Sequence, residues 1–196
     1  MIVAVQKEVQ APMSPTPHTA GQVLLQLARR SIDSALRGEP LRPAVAPDWL
    51  LAPGACRVSL NLDGRERGAA LSHGPTRPLG EDVGRNAVAA ALRDPCHPPL
   101  GHGEFAAVRL EVTQFTRWQP LQTGDEASVL AQLRPGEDAV FFRYGRHCSM
   151  FLPGQWVAHP DPAEFIAHLK YRAGLPPDFW AAQVELASSG AMVWRE

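Results

Sequence analysis

The sequence predicts an α+β fold, a mixed or antiparallel sheet flanked by helices. Three observations predict it. Short stretches alternate with period two, as at Val108, Leu110 and Val112; others repeat with helical period, as from Leu24 to Leu36; and no strict βαβ rhythm links them. A chain of 196 residues can bury a substantial core, and its length favours one domain over two.

Taken in order, residues 1–19 read as a flexible leader. Gln10 to Thr19 holds three prolines among Ser, Thr and His, too little apolar surface to offset ordering entropy. Residues 20–196 then form a single domain. From Gln22 to Arg37, Leu24, Leu27, Ala28, Ile32, Ala35 and Leu36 predict a helix that Gly38 stops. Residues 41–55 read as a proline-rich crossing loop. Val58, Leu60 and Leu62 alternate before Asp63-Gly64, predicting a hairpin with a short second strand. Residues 81–93 predict an acidic-started, alanine-rich helix ended by Asp94-Pro95. The stretch around Val108 to Val112 is a strand, and Asp125 to Leu133 a short helix. Residues 138–152 read as a hairpin turning at Tyr144-Gly145-Arg146. Asp161 to Arg172 is helical with Gly174 beyond its end, and Pro176 to Leu186 reads as a final helix carrying Trp180 and Val184.

Composition narrows the function. With 19 basic and 20 acidic side chains the formal charge is -1, so no global field attracts nucleic acid. The only lysines are Lys7 and Lys170, so there is no polybasic tract; the basic segments GRERG and RGRH lack interleaved aromatics and a phosphate-cradling glycine loop. Nucleic acid is therefore disfavoured as a partner. The first residues lack the basic and apolar regions of a secretory signal, and no apolar run approaches the roughly 18 residues a membrane span needs. The expectation is a cytoplasmic protein with no membrane contact. Cys56, Cys96 and Cys148 are too few and too scattered for a disulfide framework or a cysteine-rich zinc module.

The densest chemistry lies in DPCHPPLGHGEF, residues 94–105. Cys96 and His102 are the candidate catalytic pair, because side chains adjacent on extended backbone point apart and disfavour His97 as the base. Cys96, His97 and His102 also offer ligand types that zinc or iron accepts, with His147 or Cys148 as a fourth. Against a metal stand the absence of C-x2-C or H-x3-H spacing and the stiff Pro98-Pro99 pair. No cofactor is predicted. The bland alternative is a rigid turn with rim histidines. Arg67, following the Asp63-Gly64 turn, is a candidate anion clamp or plain surface. Asn86 predicts a specific hydrogen bond inside a helix, Asp94 a turn cap, and Trp156 a pocket wall or core residue.

An ordered set of motifs goes further. Arg67-Gly68 is followed by Asn86-Ala87 with Ala89-Ala90-Ala91, Asp94-Pro95 with Pro99-Leu100, and Glu111-Val112-Thr113. Phe151-Leu152-Pro153 with Trp156, Glu164-Phe165-Ile166, Ala173-Gly174-Leu175 and Trp180 come after. Over residues 22–196 this order resembles the AMMECR domain family, the A component of the three-protein AmmeMemoRadiSam set. The resemblance implies a larger and a smaller subdomain, MEMO-like and radical SAM proteins as partners, and a binding site including Arg67, Gly68, Asn86, Asp94 and Trp156. It also marks departures. Where the family has L-R-G-C-I-G this chain reads Glu66-Arg67-Gly68-Ala69-Ala70-Leu71, so the motif cysteine is Ala69. The D-P-R-F segment is Asp94-Pro95-Cys96-His97, and the K-A-G-L lysine is Arg172. The function this implies is an accessory or substrate-binding component of a multi-protein modification system. The alternative is a stand-alone enzyme using Cys96 and His102, or a bound metal, on a small anionic substrate held by Arg67.

Overall fold

The computed structural model describes residues 16–40, 47–72 and 74–196. Helix α1, Pro17–Leu36, starts within the expected leader: Thr16 caps it by accepting from the Thr19 amide, and Pro17 occupies the first turn, where a missing N–H costs nothing. Leu24, Ala28 and Ile32 are fully buried on one stripe, and Gly38 beyond the helix adopts φ +72°, the left-handed stop expected of it. The rest of the leader, residues 1–15, and part of the crossing loop, residues 41–46, lie outside the described residues.

Helix α2, Asp48–Leu51, is a single turn seated by buried Leu50. Strands β1, Pro53–Leu62, and β2, Arg65–Leu71, form the expected hairpin, with Asp63 and Gly64 both at positive φ. The short β3, Arg77–Pro78, leads into α3, Leu79–Leu92. One turn, α4, His102–Phe105, precedes β4, Arg109–Phe115, and β5, Gln119–Pro120. Helix α5, Glu126–Leu130, is capped by Asp125. Strands β6, Asp138–Tyr144, and β7, His147–Phe151, make the second hairpin; a 3-10 turn, Pro153–Val157, and α6, Pro162–Arg172, follow.

The last element corrects the sequence reading. Pro176 to Val184 forms turns, and Glu185–Arg195 is a strand, β8, of 11 residues. Trp180 and Val184 imitate a helical stripe because both contact the same core from successive turns. Pro176-Pro177 cannot propagate a helix, and the weak apolar signal of Glu185-Leu186-Ala187-Ser188-Ser189-Gly190 conceals a strand.

β8 organises the sheet. The strand order is β2-β1-β4-β8-β6-β7, with β3 added to β1 and β5 to β8, and every pairing is antiparallel. Residues 191–195 pair with β4 and residues 185–190 with β6, so the strand passes from one half of the molecule into the other. The α+β class is as expected: among the described residues, a curled antiparallel sheet of eight strands with six helices.

Each half has its own core. One gathers Leu24, Ile32, Val58, Leu60, Val83 and Leu110 beneath α1 and α3. The other gathers Phe142, Phe151, Trp156, Phe165, Ile166 and Leu169 beneath α6. Burying such side chains contributes roughly 1.5–3 kcal/mol apiece before entropy is counted. α1 crosses the end of β8 closely: a Cβ on Gly21 would lie 2.1 Å from Trp194 Cδ1, and Trp194 Nε1 donates to the Pro17 carbonyl at 2.9 Å. Among the described residues no helix is long and apolar enough to cross a membrane.

Candidate functional site

The family-motif segment of β2 lies at an edge of the sheet, beneath the end of α3. Gly68 is required by contact: a Cβ there would sit 2.3 Å from the carbonyl oxygen of Ala90. That approach brings β2 under the loop leaving α3. Asp94, the first acidic residue after the helix, reaches back to β2, where its Oδ2 accepts from the Ala69 amide at 2.8 Å. Its Oδ1 accepts from the Cys96 amide at 2.8 Å, as a turn-capping aspartate does, and lies 2.9 Å from His97 Nδ1. Burial pushes the Asp94 carboxyl up, but hydrogen bonds from Ala69, His97 and Cys96 outweigh it and hold it below the ordinary aspartate value.

Arg67 fastens the other end of the same loop. Its Nε and Nη2 donate to the two carboxylate oxygens of Glu104, each at 3.0 Å, in the forked geometry that guanidinium and carboxylate share. Nη1 donates to the Pro98 carbonyl at 2.9 Å. Glu104 also accepts from the Gly101 amide at 3.1 Å, and these bonds, Arg67 first, lower its carboxyl below the usual value. The expected anion clamp is therefore occupied from within the chain: three of the roughly five N–H groups of a guanidinium are already committed. Arg67 also borders a cavity of about 380 Å³ beside Leu62, Asp63, Arg65 and Glu66.

Behind β2, α3 carries a buried polar network. Asp82, with no exposed surface, accepts from the Cys56 amide at 3.0 Å, from Ser72 Oγ at 2.6 Å and from Arg77 at 3.2 Å. Asn86, one turn on, donates to the Cys56 carbonyl at 2.9 Å, the structural hydrogen bond its place in a helix predicted. Burial first, then the Asp82 charge, pushes the Cys56 thiol well above its ordinary range.

The remaining candidates scatter. Cys96 is exposed, and no hydrogen bond joins it to His97 or His102 among the described residues. His102 opens α4 and faces solvent. His147 is held elsewhere, its Nδ1 2.9 Å from the Ala173 carbonyl. Among the described residues no three His, Cys, Asp or Glu side chains converge to hold a metal ion, so Cys96, His97 and His102 do not assemble as a ligand set. Trp156 belongs to the second core instead of standing beside Arg67: its ring stacks on Phe165 at 3.7 Å and its Nε1 donates to the Asp138 carbonyl at 2.8 Å.

Two residues that complete this arrangement escaped sequence reasoning. Glu104 is signalled by the G-x-x-E spacing from Gly101, which returns a carboxylate to the start of a helical turn. Asp82 is signalled by its four-residue spacing from Asn86, on the apolar face shared with Val83 and Ala90.

Comparison with known proteins agrees with this framework. Residues 25–190 match the family described as AMMECR1. A protein of Methanocaldococcus jannaschii is 28% identical over 180 residues, covering 90% of each chain. One of Methanothermobacter thermautotrophicus is 29% identical over 189 residues, covering 93% of this chain and 97% of its own. The crystal structure of an uncharacterised protein from Pyrococcus horikoshii superposes with a TM-score of 0.81 at 28% identity, covering 90% of this chain and 91% of that one. Motif order, fold and a family match over most of its length together place this chain in the AMMECR1 family.

Proposed function

We propose that this protein is an accessory or substrate-binding component of a multi-protein modification system, working beside MEMO-like and radical SAM proteins. The observation that carries the reading is the state of the motif. Ala69 stands where the family pattern has a cysteine, yet Asp94 still grips its amide and Gly68 still packs under Ala90. A thiol-dependent catalyst would lose its nucleophile by this exchange; a binding surface keeps its shape. Arg67 and Glu104 support the same reading, since their ion pair shapes the loop and holds it for docking.

Capture of the tagged protein at its native level, with mass spectrometry of what accompanies it, tests the proposal. A MEMO-like or radical SAM partner retained by the unmodified protein, and lost on Arg67→Gln, supports it. A solitary protein under the same conditions overturns it.

A second reading has one specific observation in its favour. Cys96 is exposed beside a histidine that Asp94 orients, an arrangement a cysteine enzyme would use. His97 then takes the base role that the sequence suggested for His102, which requires its ring to turn toward the thiol, since no hydrogen bond joins the two side chains. Cys96→Ser abolishes cellular activity if this reading holds and leaves it unchanged if the binding reading does.

A further inference from the structure

Where β8 passes between the two halves of the sheet, its sequence breaks the rules of a central strand. Ser188, Ser189 and Gly190 stand where apolar or β-branched side chains would pack best, and local rules broken without packing gain concentrate at functional sites. A cavity of about 370 Å³ opens beside this run, bordered also by Thr116, Arg117, Gln119 and Arg134. That volume falls at the small end of ligand-sized pockets. Its lining holds two guanidinium groups and no carboxylate.

Most of the wall is committed to the fold. Ser189 Oγ donates to the Thr116 carbonyl at 3.1 Å and lies 3.2 Å from Thr116 Oγ1. Gln132 bridges to Gln122 through both ends of its amide. Arg134 is held by Asp138 at 3.1 and 2.6 Å, with Glu137 3.3 Å from Nη1, so its charge is largely balanced. Of the polar side chains in this wall, three make no side-chain bond to any described residue: Arg117, Gln119 and Ser188. Gln119 and Ser188 are directly opposed in the β5–β8 pairing, which puts both on one face. Arg117 is the unbalanced cation among them.

The geometry points to a binding site for a small polar molecule bearing an oxyanion, a phosphate or a carboxylate. Arg117 would fork to the anion, while Ser188 and Gln119 would meet neighbouring hydroxyl or carbonyl groups. The site shares no residue with the Arg67 motif. Its existence does not depend on the partner proposal above.

Titration of the full chain with inorganic phosphate, and separately with malonate, followed by amide NMR at constant ionic strength, tests it. The expected result is a saturable shift of the amides of residues 116–121 and 188–190 with at least one of the two anions. Arg117→Gln weakens that binding by about tenfold or more, as loss of a charge-assisted fork does, and Ser188→Ala weakens it less. Since Arg117 makes no internal bond among the described residues, its replacement leaves the fold intact, and an unchanged spectrum of the free variant verifies this. Response to phosphate alone identifies a phosphate ester as the ligand class, and response to malonate alone a carboxylate. Absence of saturable shifts at these amides with both anions, or equal affinity in Arg117→Gln, overturns the inference.

Discussion

Gly68 and Asp94 set the motif from opposite sides, and each can be tested alone. Gly68→Ala drives a methyl group against the backbone carbonyl of Ala90, which cannot swing aside as a side chain would. The expected loss is about 1–3 kcal/mol, read from denaturant unfolding. Asp94→Ala strands the Ala69 and Cys96 amides and costs about 1–3 kcal/mol. Because the native carboxyl titrates below its ordinary value, the charged form stabilises the fold above the unfolded-state pKa of about 4. This part of the gap between Asp94→Ala and the unmodified protein should shrink as pH falls through the depressed native value. A gap that widened on acidification would contradict the assignment. Arg67 and Asp94 were visible in the sequence as candidates, and Asp94's capping of its own turn was too, but the distant partners were not: Glu104 lies 37 positions from Arg67 and Ala69 25 from Asp94, and no local pattern reveals a pairing made by folding.

Among the elements, those with strong periodicity were legible. α1, α3, β1, β4, α6 and both hairpins follow from apolar spacing and turn residues within a few positions of their observed ends. β8 was not. Its buried positions, Leu186 and Ser189, are three apart, and Ser188 and Gly190 are only half-buried, so alternation is blurred, and the Trp180 and Val184 pair before it supplied a false helical period. Sheet context makes this strand, since neighbours on both sides supply its hydrogen bonds. Its amides should therefore exchange with deuterium as slowly as those of β1 and β4. Exchange at the rate of the turns between residues 176 and 184 would refute its central place.

At the scale of the whole molecule, two cores share one sheet. The second core is closed by Trp156 against Phe165, the first by α1 and α3 over β1 and β4. Neither half completes its ladder without β8, so equilibrium unfolding should be one cooperative transition. Tryptophan fluorescence, to which Trp49 and Trp194 contribute from the first half and Trp156 and Trp180 from the second, should change in a single transition with the same midpoint as far-ultraviolet dichroism; separated midpoints would show halves that melt independently. Apolar periodicity conveyed the class and the order of motifs the family resemblance, while the strand that joins the two cores stayed hidden.

That arrangement also bears on synthesis. Residues 185–195 leave the ribosome after every other strand described here, yet they occupy the middle of the finished sheet. Until they emerge, β4 and β6 each present an open edge to the crowded cell. From the appearance of β6 until residues 185–195 emerge, the nascent chain thus carries two adhesive borders, and shielding by chaperones is needed most in that interval.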